Sequence, residues 1–366
     1  MDNMLLTEKK EKFGIYEAAL ASLLFIIYNF IFVIGYRFLP ASIKKYDAVT
    51  YLVSFLLEFL FALTALTVAL RKKVDIKKAS GLDKKFNGRI VWLGFLISVV
   101  ALIFFGNLTN VFLSFLSLCG YSSILSDFAI TSFWQYLIYV VISCVTPAFC
   151  EELLFRGTIL AGLKKHGFKI AVIVSSIIFT LMHGNAEQTV HQMIVGMIVG
   201  YLFFKTGNLW LGIIIHFFNN FISVTQAYIL SNIPETAAAS ETAVVSTSTA
   251  WISLVLSLIF ALIFAYFGLY IFRILSKKII DESNKLNGEI MPENLAEIVV
   301  DGKPEYVEMT VAGETANGDE PQEQTAESVI AEETQKLPIS VIVMFCLSGI
   351  YLICDWVSAL VMGFMI

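Results

Sequence analysis

The chain has 366 residues, of which 57% are hydrophobic and only 15% charged, with 31 phenylalanines. That balance excludes a pair of soluble domains and puts most of the chain in lipid. The formal net charge of −5 is unevenly placed, and no basic stripe exists beyond the flanks of apolar segments, which excludes nucleic acid as a partner.

Taken in order, apolar segments long enough to cross a bilayer, or nearly so, fall at 14–38, 48–70, 90–118, 133–163, 168–184, 188–204, 209–231, 251–275 and 338–366. Crossing takes about 20 helical residues. The first segment is too long for a signal-peptide core and reads as a retained anchor. Segments 168–184 and 188–204 are short and suggest a hairpin around a cavity. The fold class expected is all-α, a polytopic transmembrane bundle of about eight to nine helices with a polar intramembrane cavity.

Five divisions follow. They are N-terminal transmembrane helices (1–132), a catalytic core (133–231), an outer loop with the next helix (232–278), an acidic insert (279–337) and a last helix (338–366). Lysines and arginines orient the bundle. Arg71, Lys72, Lys73, Lys77, Lys78, Lys84, Lys85 and Arg89 share one connection, whereas 119–132 and 232–250 contain no Lys or Arg. The N-terminus and 279–337 are therefore expected in the cytoplasm. Arg37, Lys44 and Lys45 run against this scheme. Residues 281–337 hold fifteen acids against three lysines, and Glu314 to Glu333 is expected to be disordered.

The polar residues inside apolar segments carry the functional reading. Cys150-Glu151-Glu152-Leu153-Leu154-Phe155-Arg156-Gly157 puts two carboxylates and a guanidinium into one such segment. A charge near the bilayer centre costs roughly 2.5–3.5 kcal/mol on insertion scales, so it requires a partner or a task. Rise per residue, counted from the flanking lysines, puts Glu151 about 20 Å deep, His183 about 21 Å, and His216 and Asn220 about 17 and 23 Å. Three helices thus bring polar groups to one plane. Glu152 and Arg156 are i,i+4 and can pair, leaving Glu151, rotated by about 100°, free. Pro147 cannot donate to the Ser143 carbonyl and should kink its helix.

Burial disfavours the charged form of a carboxylate and suits it to take up a proton. Glu151 with His183 would activate water, and His216 with Asn220 would stabilise an oxyanion. Glu152 and Arg156 would fix the geometry. Glu58 and His191 lie at similar depth. Glu58 defaults to a buried hydrogen-bond partner, and His191 to a cavity wall. Cys150 reads as an inert buried thiol, and Gly196-x-x-x-Gly200 as close helix packing.

Glu-Glu-x-x-x-Arg, Phe179-x-x-x-His183 and His216-x-x-x-Asn220, with Gly196-x-x-x-Gly200 and Lys205-Thr206-Gly207-Asn208-Leu209-Trp210 between the last two, resemble the CPBP family. These are CAAX-prenyl-protease-like membrane proteins, also called Abi proteins, and the likeness covers about 133–225. The resemblance implies an intramembrane glutamic endopeptidase in which Glu151 and His183 activate water while His216 and Asn220 form the oxyanion site.

The expected partners are the bilayer and a membrane-associated peptide or protein, lipidated in some family members. The expected location is a bacterial cell membrane. No cofactor or metal is expected, since there is no H-E-x-x-H and the cysteines show no C-x-x-C spacing. Competing readings are a proton-coupled transporter built on the same polar plane, a zinc-dependent variant, and a non-enzymatic immunity or scaffold protein.

Overall fold

The computed structural model describes residues 12–123, 129–233, 247–288, 295–300, 303–308 and 337–365. Nine longer helices lie among them, beside two short helical turns. They are α1 (Ile15–Arg37), α2 (Asp47–Lys72), α3 (Gly88–Leu118), α4 (Phe133–His166), α5 (Phe168–Met182), α6 (Thr189–Thr206), α7 (Leu209–Ser231), α8 (Thr247–Leu286) and α9 (Ile339–Met365). Seven of these (all but α5 and α6) are long and apolar enough to cross a membrane, and the chain is an integral membrane protein. The all-α polytopic bundle is as expected, with seven such helices among the described residues against the eight to nine expected. The shortfall lies in the α5–α6 hairpin: α5 has 15 residues, about 22 Å of helix against a hydrocarbon core of about 30 Å.

Helix starts follow local chemistry. Asn87 accepts from the Ile90 N–H at 3.0 Å, and Asn208 from the Trp210 N–H at 3.1 Å. Ser132 and Gln135 form a reciprocal capping box at the head of α4. Gly207, at φ +60°, turns α6 into α7, a conformation that side chains with a Cβ rarely adopt. Gly196 and Gly200 let α6 sit on α5 and α4: a Cβ there would come within 3.3 Å of Phe179 and Leu160 respectively.

α4 carries the two adjacent carboxylates and is irregular on both sides of them. Wider π turns occupy Val140–Val145 and Phe155–Leu160, and such turns recur at functional sites. Thr146 and Thr158 hydroxyls donate five residues back, to Val141 and Leu153 carbonyls at 2.9 and 3.0 Å. Pro147 lies between the π turns, and the Ser143 carbonyl it cannot serve is taken by the Asn220 amide of α7 at 3.0 Å. α4 is enclosed by α2, α5 and α7, and α1 covers its later turns. The core therefore wraps the helix that bears Glu151, Glu152 and Arg156.

The region expected as an unstructured insert from 279 begins inside α8, which continues to Leu286. Strands β1 (Leu295–Val300) and β2 (Lys303–Glu308) then pair antiparallel, with Val300 opposite Lys303. The intervening Asp301-Gly302 is a dipeptide favoured in two-residue hairpin loops. The segment Glu314 to Glu333 lies outside the described residues, as does most of the outer loop 232–250.

Candidate active site

Glu151 and Glu152 are both buried, at 5% and 0% exposure, but they meet different neighbours. Glu152 Oε1 accepts from Arg156 Nη1 at 2.8 Å and lies 3.0 Å from His216 Nδ1. A carboxylate can only accept, so Nδ1 carries the hydrogen in that bond. Arg156 also donates to the Gly196 carbonyl at 3.2 Å, and its guanidinium stacks over the Phe179 ring at 4.4 Å. One carboxylate therefore ties α4 to α7 directly and, through Arg156, to α6. The i,i+4 pairing of Glu152 with Arg156 is formed.

Glu151 has no comparable cation. Its Oε2 lies 3.9 Å from His183 Nε2 and makes no hydrogen bond within the chain. His183 is held from its other nitrogen, since Nδ1 is 2.8 Å from the Phe179 carbonyl and must donate to it. Nε2 of the neutral ring is then an acceptor turned to the carboxylate. A separation of 3.9 Å is too long for a direct bond, and leaves both atoms able to bond a third polar group. The ring of Phe179 stands edge-on to both imidazoles, 4.8 Å from His183 and 6.0 Å from His216.

The structure brings Glu151 to His183 and Glu152 to Arg156 and His216. Asn220 bonds none of them and donates instead to the Ser143 carbonyl. Its neighbour Asn219 is 3% exposed and bonds His191 Nε2 at 3.1 Å. His191 in turn lies close enough to His183 and His216 for the rings to interact electrostatically.

Sequence reasoning left Glu58 unexplained. It sits on α2 with its carboxyl group facing that of Glu151, and its Oε2 is likewise unbonded. The signal available was depth: Glu58 lies thirteen residues before Arg71, as Glu151 does before Lys164. Among the described residues, no three His, Cys, Asp or Glu side chains converge as a metal-ligand set.

Residues 133–222 match the family described as Rce1-like, type II CAAX prenyl endopeptidase. Over that segment the chain is similar to this family. The Rce1-like segment runs from the head of α4 into α7 and contains Glu151, Glu152, Arg156, His183, His216 and Asn220, but neither Glu58 nor α3. A protein of Bacillus subtilis (strain 168) named "Putative membrane peptidase YdiL" is 27% identical over 89 residues. The alignment takes in 24% of this chain and 36% of that relative, so the chain spans about a third of the relative's length. No solved structure matches.

Proposed function

We propose that the protein is an intramembrane endopeptidase of the glutamic type, which hydrolyses a peptide bond of a membrane-associated peptide or protein. The observation that carries this reading is the Glu151–His183 pair. A carboxylate oxygen without a bond faces an imidazole acceptor at 3.9 Å inside an Rce1-like segment.

In the proposed reaction a water held between Glu151 and His183 gives one proton to the Glu151 carboxylate and attacks the peptide carbonyl. His183, fixed through Nδ1 by the Phe179 carbonyl, orients that water as an acceptor. The tetrahedral oxyanion is met by the Nε2–H of a doubly protonated His216, whose Nδ1–H donates to Glu152, and by the second amide hydrogen of Asn220. Glu151 then returns its proton to the leaving amine, which yields a carboxylic acid and an amine. Arg156 and Glu152 touch no reacting atom in this scheme and act as positioning residues.

By the distribution of lysines, the N-terminus and the acidic segment 279–337 lie in the cytoplasm of a bacterial cell. The test compares membrane-protein termini by mass spectrometry in cells carrying the wild type and Glu151→Gln. New termini that appear only with the wild type are expected. Identical termini in both would refute the reading.

A further inference from the structure

A cleft of about 660 Å³ opens between α3, α6 and α7, with His191, Asn219 and Asn220 in its wall. Its size falls in the range of organic-ligand sites, roughly 300–1,000 Å³. Its composition is unusual for a membrane interior. Asn107 and Asn110 project from α3, Gln188 and Gln192 from the start of α6, and Asn219 and Gln226 from α7. With Asn220 beside Asn219 on α7, seven carboxamides thus line one hollow. No Lys or Arg lines it, which argues against phosphate or another anion. Its one carboxylate, Glu187, is engaged by the hydroxyls of Tyr121 at 3.1 Å and Ser123 at 2.8 Å, which argues against a cation site.

Two further observations point to a ligand. Asn219 is 3% exposed, yet its Oδ1 has no hydrogen-bond partner, and the Thr109 hydroxyl in the same wall is also buried and unbonded. A wide π turn, Ala101–Phe105, displaces α3 where it meets the cleft.

We infer that this carboxamide wall is a binding site for the unwound backbone of the peptide substrate, on one side of the bond to be cut. The inference rests on the endopeptidase reading above. A peptide bond held in a helix is screened by its own turns, so a membrane-embedded substrate must unwind to be attacked. Each N–H and C=O freed in this way costs several kcal/mol in lipid unless it finds a partner. A carboxamide offers a donor and an acceptor together, which is the pairing that a strand backbone needs and that a hydroxyl or a charge supplies less well. Asn219 and Gln226 lie seven residues apart on α7, about 10 Å, which is the length of about three extended residues. Asn219 is also the wall residue joined to His191, which sets the inner end of the strand beside the reacting pair.

The experiment measures binding rather than cleavage. The probe is a fluorescein-labelled leucine-alanine peptide with a central Gly-Pro-Ser-Gly break, added to full-length Glu151→Gln protein in lipid nanodiscs. A second peptide has the backbone nitrogens of the break and its neighbours N-methylated. Methylation should weaken binding roughly tenfold or more, by deleting several hydrogen bonds of about 1 kcal/mol each. Replacing Asn107, Asn110 and Gln226 by Leu should weaken the parent peptide similarly and abolish the difference between the two peptides.

Equal binding of the two peptides to the unsubstituted wall would overturn the inference. That arm needs no variant in the wall, so it stands even if the triple substitution fails to fold. A flux of protons through the nanodisc-reconstituted protein, with no peptide bound, would overturn it in favour of a water path. If the backbone-selective binding is found while Glu151→Gln leaves cellular processing intact, the catalytic reading fails and the site does not.

Discussion

Glu151 and Glu152 are neighbours in sequence, both buried and each with one unbonded oxygen, yet the groups around them differ. Around Glu152, one oxygen accepts from Arg156 and His216, and the other is walled in by Gly212. Around Glu151, no cation is bonded, a second carboxyl from α2 stands opposite, and one oxygen faces His183 at 3.9 Å. A helix that turns about 100° per residue puts consecutive side chains on different faces. The comparison teaches that one face of α4 is used for holding helices together, and the other is left able to exchange a proton.

The contrast can be broken from the Glu152 side. Arg156→Met strands a buried carboxylate beside a single imidazole and should destabilise the protein by about 3–5 kcal/mol, seen as a lowered unfolding midpoint in detergent. Gly212→Ala tests the same wall more gently. Its Cβ would stand 2.7 Å from Glu152 Oε2 and 2.8 Å from Val199 Cγ1, so a loss of about 1–3 kcal/mol is expected.

Asn220→Leu sharpens the comparison at the hinge between the two faces. It leaves the Ser143 carbonyl without its donor, which should cost about 1–2 kcal/mol and show as faster amide exchange around Pro147. Glu58→Gln acts on the other face and should do least. An amide can donate to Glu151 without a shared proton, so the midpoint should shift by less than about 1 kcal/mol. A loss as large as that of Arg156→Met would mean that the Glu58–Glu151 contact is structural like its neighbour.

The bundle was legible because lipid demands long apolar helices and lysines mark their ends. The common depth of Glu151, His183 and His216 was legible for the same reason, since a fixed rise per residue converts sequence distance into depth. Rotation about each helix axis was not. Depth alone could not show that His216 turns to Glu152, or that Asn220 serves the carbonyl that Pro147 leaves open. Nor could it show that Asn219, one position earlier, joins His191 in a cleft. Glu58 was visible as an oddity, but its facing of Glu151 depends on how α2 packs on α4, which no local pattern encodes. The strand pair 295–300 and 303–308 was hidden by the acidic composition around it.

The account stands on Glu151 being the residue that does chemistry while Glu152 holds the fold. The most direct test is the turnover of a processed membrane substrate by purified, folded Glu151→Gln protein in lipid. A fall of roughly 10²–10⁴-fold, the contribution of general acid–base catalysis, is predicted with the unfolding midpoint unchanged. Cleavage at the wild-type rate by a protein with that midpoint would contradict it.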